Sequence, residues 1–428
     1  MTSSSVPDPQ AQRPPRGALR PQLQRWLLAT AAAGWALSPL SSTWSGLAWL
    51  ALCLCAALCL GAAASPAPDA SARQAARRWW WATGLACALA AAALLAHGDP
   101  WSSLQDNVRL WLAAGAVCCL LRWGPAWPAR TPAWLMDVCA TACAVSAAVA
   151  LSHSRDQLPG NAIPWAVAVA FLLCLLAPAA LDRHTHWSRR RWWAGALLLG
   201  LGAVLASQSR GAMVITLWLA WLLLRHLWTH RPAGGPRSLA ALVMALALLG
   251  SSAWWDADPL RLREAGHDIV LALTQGKPDT SVGSRLEMWT TAIAGITQSP
   301  WWGHGIHARE LAMRELATQH APRIWADLTH FHNEYLNAWF DHGLAGLGAV
   351  LVTLFGLVAA ARALGRHQTV ARQQLWGLAV VHGVAGLTNV NTVHNLYTLA
   401  LSLAVSAVLL RAAQIPAPSS TDTDPRTP

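Results

Sequence analysis

Long apolar runs alternate with short polar loops along most of the chain. Each run is close to the roughly 20 residues that an α-helix needs to cross the hydrocarbon core of a bilayer. A helix that is apolar on every face is stable only inside a membrane or a large protein core. The pattern therefore predicts twelve membrane-spanning helices, near residues 25–41, 43–63, 79–96, 107–122, 133–151, 163–181, 191–208, 211–227, 238–255, 342–361, 373–388 and 395–412.

The polar stretches divide the chain into five parts. Residues 1–24 are rich in Pro, Ser, Gln and Arg and are expected to form a disordered cytoplasmic N-terminus. The apolar run that follows lacks a small-residue cleavage site, so we interpret it as a retained first span and not as a signal peptide. Spans one to nine occupy 25–255, a polar helical segment occupies 256–341, spans ten to twelve occupy 342–412, and 413–428 form a disordered cytoplasmic tail.

Composition agrees with an all-α integral membrane protein. The 428 residues are 54% hydrophobic and 12% charged, and 27 are Trp, a residue enriched at membrane interfaces. The net charge of +11 does not indicate nucleic-acid binding, because the arginines are scattered between apolar runs and form no single patch. The cysteines lie in or beside apolar segments without a CxxC pair, which is typical of small core residues: Cys53, Cys55, Cys59, Cys87, Cys118, Cys119, Cys139, Cys143 and Cys174.

The distribution of arginine predicts the orientation of the spans. Cytoplasmic loops carry an excess of Lys and Arg. The N-terminus, alternate short loops and the tail together carry 21 basic residues, whereas the intervening short loops are nearly bare. This assigns both termini to the cytoplasm, and it assigns three polar features to the opposite face: the turn 207–211, the segment 256–341 and the link 388–394.

A cluster of polar side chains ends the long polar segment. His330, His332, Asn333, Glu334 and Tyr335 fall within six residues, just before the apolar pattern resumes at Gly343. Polar groups beside a membrane are costly unless they are used, which favours a functional site. The alternative is a hydrated loop end with incidental histidines. If the local backbone is helical, positions 330 and 334 lie one turn apart and 332 points elsewhere.

Two arginines share the predicted outer face with this cluster. Arg210 lies in a tight turn between two spans, where it either reaches lipid headgroups or binds an anion. Arg285 follows a Thr/Ser/Gly cluster that predicts a helix N-cap, and Leu286, Trp289, Ile293 and Ile296 predict its apolar face. A cation beside the free amides of a helix start forms an anion site, although a simple exposed flank is the alternative.

The order of four short motifs resembles the superfamily of O-antigen ligases and O-antigen polymerases, which includes bacterial protein O-oligosaccharyltransferases. The resemblance covers roughly residues 190 to 362 in detail. The motifs are Ser209-Arg210-Gly211, Ser284-Arg285 with Trp289 a turn later, Pro300 with Gly303-His304-Gly305, and His330 to Leu336 followed by Gly343-Leu344-Ala345-Gly346.

The resemblance implies a GT-C-like glycosyltransferase of the bacterial inner membrane with a large periplasmic segment between spans nine and ten. It implies transfer of a glycan from undecaprenyl diphosphate to an acceptor hydroxyl at the periplasmic face, without a metal or other cofactor and with inversion. His332 matches the catalytic histidine, and Arg210 and Arg285 match diphosphate-binding positions. The supporting residues are His330, Asn333, Glu334, Tyr335 and Gln208.

Within the superfamily we favour an O-antigen ligase, whose acceptor is the lipid A core oligosaccharide. A polymerase that extends the carrier-linked glycan is the alternative, and a protein O-oligosaccharyltransferase is disfavoured by the short C-terminal tail. A lipid or glycan transporter should show related halves, which we do not see. A zinc hydrolase using His304, His307, His330 and His332 lacks a His-Glu-x-x-His spacing. A histidine base predicts an acid limb near pH 6 to 7, unless burial shifts it.

Overall fold

The computed structural model describes residues 19–60, 69–124, 131–229, 262–275, 279–320, 325 and 328–414, and these residues form α-helices joined by turns. The helices are α1 (Leu19–Ala36), α2 (Ser42–Cys59), α3 (Ala70–His97), α4 (Gln105–Trp123), α5 (Thr131–Ser152), α6 (Ala162–Leu181), α7 (Trp187–Ala206), α8 (Val214–Thr229), α9 (Leu262–Gln275), α10 (Gly283–Gln298), α11 (Ile306–Gln319), α12 (Glu334–Ala363), α13 (Thr369–Ala385) and α14 (Asn395–Ala412).

The described helices fit an integral membrane protein. Eleven of the twelve predicted apolar segments coincide with helices α1 to α8 and α12 to α14, and the ninth, near 238–255, lies outside the described residues. The number of spans and their orientation stay predictions. Six described helices are long and apolar enough to cross a bilayer: Ser42–Cys59, Ala70–His97, Ala133–Ser152, Ala162–Leu181, Glu334–Ala363 and Asn395–Ala412.

Helices α6 and α14 form the centre of the bundle. Both are buried on nearly every face, and the rings of Phe171 on α6 and Tyr397 on α14 lie 5.3 Å apart. The long helices α3 and α12 pack along one another beside them. Arg411 is buried in the last turn of α14, where its Nη1 donates to Oε1 of Gln374 on α13 at 3.3 Å.

A second, smaller core lies outside this bundle. Met288, Ala292 and Ile296 of α10 are buried against α11 and against Phe331 and Phe340. Helix α10 was predicted to bury the stripe 286, 289, 293 and 296, but Ile293 is half exposed and the buried stripe is 288, 292 and 296. Gly295, also on α10, lies against Phe340, and a Cβ at this position would be 2.3 Å from the Phe340 ring.

The turn between α10 and α11 docks onto a break in α12. The helix is interrupted at His342 and Gly343, so the carbonyls before the break lose their partners within the helix. The turn replaces them: the backbone N–H groups of His304 and Gly305 donate to the carbonyls of Phe340 and Asp341 at 2.8 and 2.7 Å. A Cβ on Gly303 would lie 2.5 Å from the Gly343 nitrogen, which explains why both positions are glycine.

Candidate active site

The polar cluster lies in an irregular stretch that ends at the start of α12. Asn333 caps this helix, since its Oδ1 accepts hydrogen bonds from the backbone N–H groups of Tyr335 and Leu336, both at 3.1 Å. Residues 330 to 333 are not helical, so the helical spacing considered for His330 and Glu334 does not apply. The supporting role predicted for Asn333 is that of a helix cap.

The side chains of this stretch alternate between two sides. Phe331 is fully buried in the outer core, and its carbonyl accepts from Nε1 of Trp289 at 3.0 Å. His330 and His332 point the other way together, with ring centroids 4.5 Å apart. His332 has a φ of 50°, a left-handed conformation that is uncommon for a residue with a side chain. Such strain is often found at functional sites.

Asn389, in the link between α13 and α14, orients both imidazoles. Its Oδ1 lies 3.0 Å from Nδ1 of His332 and 3.4 Å from Nε2 of His330. Its Nδ2 donates to Oδ1 of Asn391 at 3.1 Å, so the amide oxygen faces the rings. Nδ1 of His332 is therefore the protonated nitrogen, and Nε2 keeps its lone pair. The sequence analysis did not identify Asn389, although a polar Asn-Val-Asn triplet between apolar segments was a signal.

Removal from solvent keeps both imidazoles neutral. Burial, together with the neighbouring His330 and Arg285, lowers the pKa of His332 to about 3, against the hydrogen bond that His332 donates to Asn389. Burial likewise lowers the pKa of His330 to about 4. The range near 6 to 7 was expected unless burial shifts it, and in the protein without ligand burial shifts the pKa of both imidazoles downward.

Two hydrogen bonds to backbone carbonyls attach the start of α12 to the end of α13. The backbone N–H of Glu334 donates to the Gly386 carbonyl at 2.7 Å, and the Tyr335 hydroxyl donates to the Gly383 carbonyl at 2.8 Å. The Glu334 side chain is buried and lines a cavity of about 350 Å³ whose lining does not include His332. Among the hydrogen bonds of the described residues, none joins Glu334 to an imidazole, so it does not orient one.

Arg285 and His332 line one cavity of about 530 Å³. Arg285 lies in the first turn of α10, as predicted, and its Nη1 donates to the carbonyl and to Oγ of Ser281 at 3.0 and 3.1 Å. The predicted N-cap differs: Val282 occupies the position, and the Thr280 hydroxyl accepts from the Gly283 N–H at 3.0 Å.

Arg210 lines a second cavity, of about 180 Å³, which shares Ser281 and Arg285 with the first. The turn that carries it contains Gln208 in a left-handed conformation, with a φ of 53°. Gln208 also lines this cavity, and Nη2 of Arg210 lies 4.0 Å from Oε2 of Glu264 on α9. The structure thus brings Arg210, Arg285 and His332, which are far apart in sequence, to two cavities with a common wall.

The other histidines singled out in the sequence have separate surroundings. Nε2 of His304 is 2.8 Å from the Gly295 carbonyl, and His307 is exposed on α11. Within the described part of the chain, no three His, Cys, Asp or Glu side chains gather as ligands of one metal ion would. The four histidines considered for a zinc site do not form one there.

The described residues form an all-helical membrane protein in which His332 and Arg285 share a cavity with the carboxylates of Glu264, Asp268 and Asp279, next to a second cavity lined by arginines. Residues 194–351 match the family model described as O-antigen ligase. This stretch is less than half of the chain, includes Arg210, Arg285 and His332, and supports the resemblance to the O-antigen ligase superfamily found in the sequence.

A relative of unassigned function covers part of the chain. An uncharacterized protein of Haemophilus influenzae (strain ATCC 51907 / DSM 11121 / KW20 / Rd) is 30% identical over 95 residues, which are 22% of this chain and 24% of the relative. The match therefore spans about a quarter of the length of that curated relative.

Proposed function

We propose that this protein is an O-antigen ligase. It transfers the glycan from undecaprenyl diphosphate to a hydroxyl of the lipid A core oligosaccharide, at the periplasmic face of the bacterial inner membrane. The observation that carries the proposal is the shared cavity wall: Arg285 lines both the cavity of His332 and that of Arg210. A base and two guanidinium groups are what transfer from a diphosphate requires.

His332 acts as the general base. Its Nε2 accepts the proton of the acceptor hydroxyl while the hydroxyl oxygen bonds to the anomeric carbon of the donor glycan. The bond from that carbon to the phosphate oxygen breaks on the opposite face, which inverts the configuration. The electron pair leaves on the diphosphate, and Arg210 and Arg285 offset the charge that develops there.

His332 is a better base than its neighbour because its lone pair is available. Both nitrogens of His330 are engaged, Nδ1 with the Thr329 hydroxyl at 3.1 Å and Nε2 with Asn389 at 3.4 Å. His332 uses Nδ1 alone among its hydrogen bonds to described residues. His332 is therefore the base, and His330 is a neighbour that packs beside it.

A transfer assay tests the function and the choice of acceptor. Purified protein in lipid nanodiscs is supplied with a lipid-linked glycan, a chelator and either rough lipopolysaccharide or carrier lipid alone, and the products are identified by mass. We expect glycan on the lipopolysaccharide. Lengthening of the carrier-linked glycan in place of this product indicates the polymerase, and no transfer by folded protein overturns both assignments.

The periplasmic placement has its own test. A reporter fused after residue 275 or within 388–394 should behave as periplasmic, and one within 366–371 as cytoplasmic. The reverse pattern would place the arginines and His332 on the cytoplasmic side, away from the periplasmic pool of donor. That result would overturn the proposed reaction.

A further inference from the structure

Three arginines converge on the smaller cavity. Arg155 comes from the 3-10 turn Arg155–Gln157, Arg210 from the turn before α8, and Arg285 from the start of α10. No carboxylate is found among the described residues that line this cavity, and the uncharged lining includes Gln208 and Ser209. Glu264, whose carboxylate lies 4.0 Å from Arg210, is outside this lining, and an anion inside the cavity would reduce the repulsion among the three arginines.

Two residues that line this cavity each have a buried polar atom without a partner. Nε of Arg155 and Oγ of Ser209 are both shielded from solvent, and neither has a hydrogen-bond partner within the part of the chain that the structure describes. Ser209 is 1% exposed. Burying a donor without a partner is costly, so two such residues at one cavity favour a ligand that supplies acceptors there.

Two other arginines near the polar cluster are satisfied by the protein itself. Nε of Arg309 donates to both carboxylate oxygens of Asp341 at 3.0 Å, and Arg309 also donates to the Thr329 carbonyl. Arg109 donates to Oδ1 of Asp106 at 2.9 Å and to Asn395. Arg155 differs from these two because it has an unsatisfied nitrogen and lines a cavity with two other arginines.

We propose that Arg155 and Ser209 form, together with Arg210, a second phosphate subsite that binds the lipid-bearing phosphate of a polyprenyl diphosphate. The glycosyl-bearing phosphate then lies at Arg285, the residue shared with the cavity of His332, and the anomeric carbon faces the base. The identity of the ligand rests on the proposed function, whereas the preference for an anion rests on the cavity alone. Both phosphates receive guanidinium hydrogen bonds, which suit phosphate oxygens.

Binding of the two carrier lipids tests this subsite. Undecaprenyl phosphate and undecaprenyl diphosphate are titrated into wild-type protein and the Arg155→Gln variant in nanodiscs. Because the lipid-bearing phosphate is common to both ligands, Arg155→Gln should weaken both by about tenfold or more, the effect of losing one charged hydrogen bond. Ser209→Ala should weaken both by about threefold, since the hydroxyl is neutral.

Thermal stability without ligand separates a binding role from a structural one. Both substitutions remove an unsatisfied buried group, so the melting temperature should stay unchanged or rise while the stabilisation by either lipid falls. Arg183→Gln, at an exposed arginine in the loop after α6, is the matched control and should retain wild-type affinity.

Each other outcome overturns a distinct part of the proposal. Wild-type affinity of Arg155→Gln for both lipids overturns the subsite, and a loss confined to the diphosphate overturns the assignment of the lipid-bearing phosphate. A lowered melting temperature with unchanged lipid stabilisation makes Arg155 structural. Binding of both lipids by wild-type protein without any glycan transfer removes the proposed function and leaves the subsite, whereas binding of neither removes both.

Discussion

Two cavities near the polar cluster are lined by residues of opposite charge. The cavity of about 180 Å³ is lined by Arg155, Arg210 and Arg285. The cavity of about 350 Å³ is lined by three carboxylates, those of Asp106, Glu334 and Asp341, with Arg309 as its described arginine. The link between α13 and α14 passes between them, because Thr388 lines the first cavity and Thr392 the second.

Both cavities are lined by residues with buried polar atoms that lack a partner among the described residues. On the acidic side, Asp341 is bonded by Arg309, and Asp106 accepts from the Thr398 hydroxyl at 2.8 Å as well as from Arg109, but neither carboxylate oxygen of Glu334 has a hydrogen-bond partner there. At the arginine cavity, such atoms belong to Arg155 and Ser209. The sign of the lining charge therefore distinguishes the two sides, because the arginines of the cationic side attract an anionic donor and the carboxylates of the other side repel it.

The largest effect is expected from the base, which lies at the wall of the cationic side. His332→Ala should lower the transfer rate by about 10² to 10⁴, the usual contribution of a general base, while binding of the carrier lipid remains. Since His332 has a left-handed backbone, His332→Asn is the better-matched variant, because Asn tolerates this conformation and lacks a basic nitrogen.

His330→Ala should lose less transfer activity than His332→Ala or His332→Asn. His307→Ala, at an exposed histidine of α11, should keep wild-type transfer. Transfer is measured at equal protein amounts in nanodiscs. Greater damage in His330→Ala than in His332→Asn moves the base to His330 and leaves the arginine cavities unaffected.

Removing a guanidinium from the cationic side should have the next largest effect. Arg285→Ala and Arg210→Ala should each lower transfer by about 10² to 10³, as expected for one preorganised donor to a developing charge. Lys at either position should restore transfer in part, since it keeps the charge and lacks the planar fork. Arg314→Ala, at an exposed position of α11, is the control. Wild-type transfer in both alanine variants would end the diphosphate assignment.

A smaller effect is expected on the acidic side. Glu334→Gln keeps the size of a side chain that is 2% exposed and removes its charge. Transfer should fall by about tenfold or less, through a higher KM for the hydroxylated acceptor, because charge-assisted hydrogen bonds to hydroxyl groups are weakened. Affinity for undecaprenyl diphosphate should change by less than about twofold. A marked gain in carrier affinity would show that this carboxylate faces the donor, contrary to the division between the cavities.

Local patterns predicted the helices and part of the cationic side. Apolar runs predicted eleven segments that are helical in the structure, because the length and hydropathy of a run depend on adjacent residues. The positions of Arg210 in a turn and Arg285 at a helix start were predictable for the same reason. Turn and cap chemistry is local.

Contacts between distant segments were not predictable from one sequence. Asn389 orients a histidine 57 positions away, and Arg155 lies in a short loop whose sequence resembles any polar connection. The direction of His332 depends on a nonhelical backbone, which Phe331 secures by inserting into the outer core. These relations follow from packing between elements, and no local periodicity contains them.

The smallest expected effect is that of mild acid on kcat/KM, which reports the protein without donor. Because burial lowers the pKa of His332 to about 3, the base is already neutral at pH 5 and gains nothing when the pH rises to 7. The value of kcat/KM reports the free enzyme, so this residue should change it by less than about twofold over that range. The positive charge of Arg285 disfavours protonation of His332, and the negative charge of a diphosphate bound at Arg285 offsets it. The pKa of His332 should therefore rise in the donor complex.

The acid limb of kcat should therefore lie at higher pH than that of kcat/KM, since kcat reports the complex. Arg285→Gln removes a cation that lowers the pKa of His332, so the limb of kcat/KM should move upward in this variant, whatever its rate. Arg314→Gln, on an exposed face, should leave the limb in place. A limb of kcat/KM near pH 6.5 in the wild type, unmoved by Arg285→Gln, would mean that the imidazole is solvated and far from the guanidinium. In that case the placement of His332 and Arg285 in one cavity would be wrong.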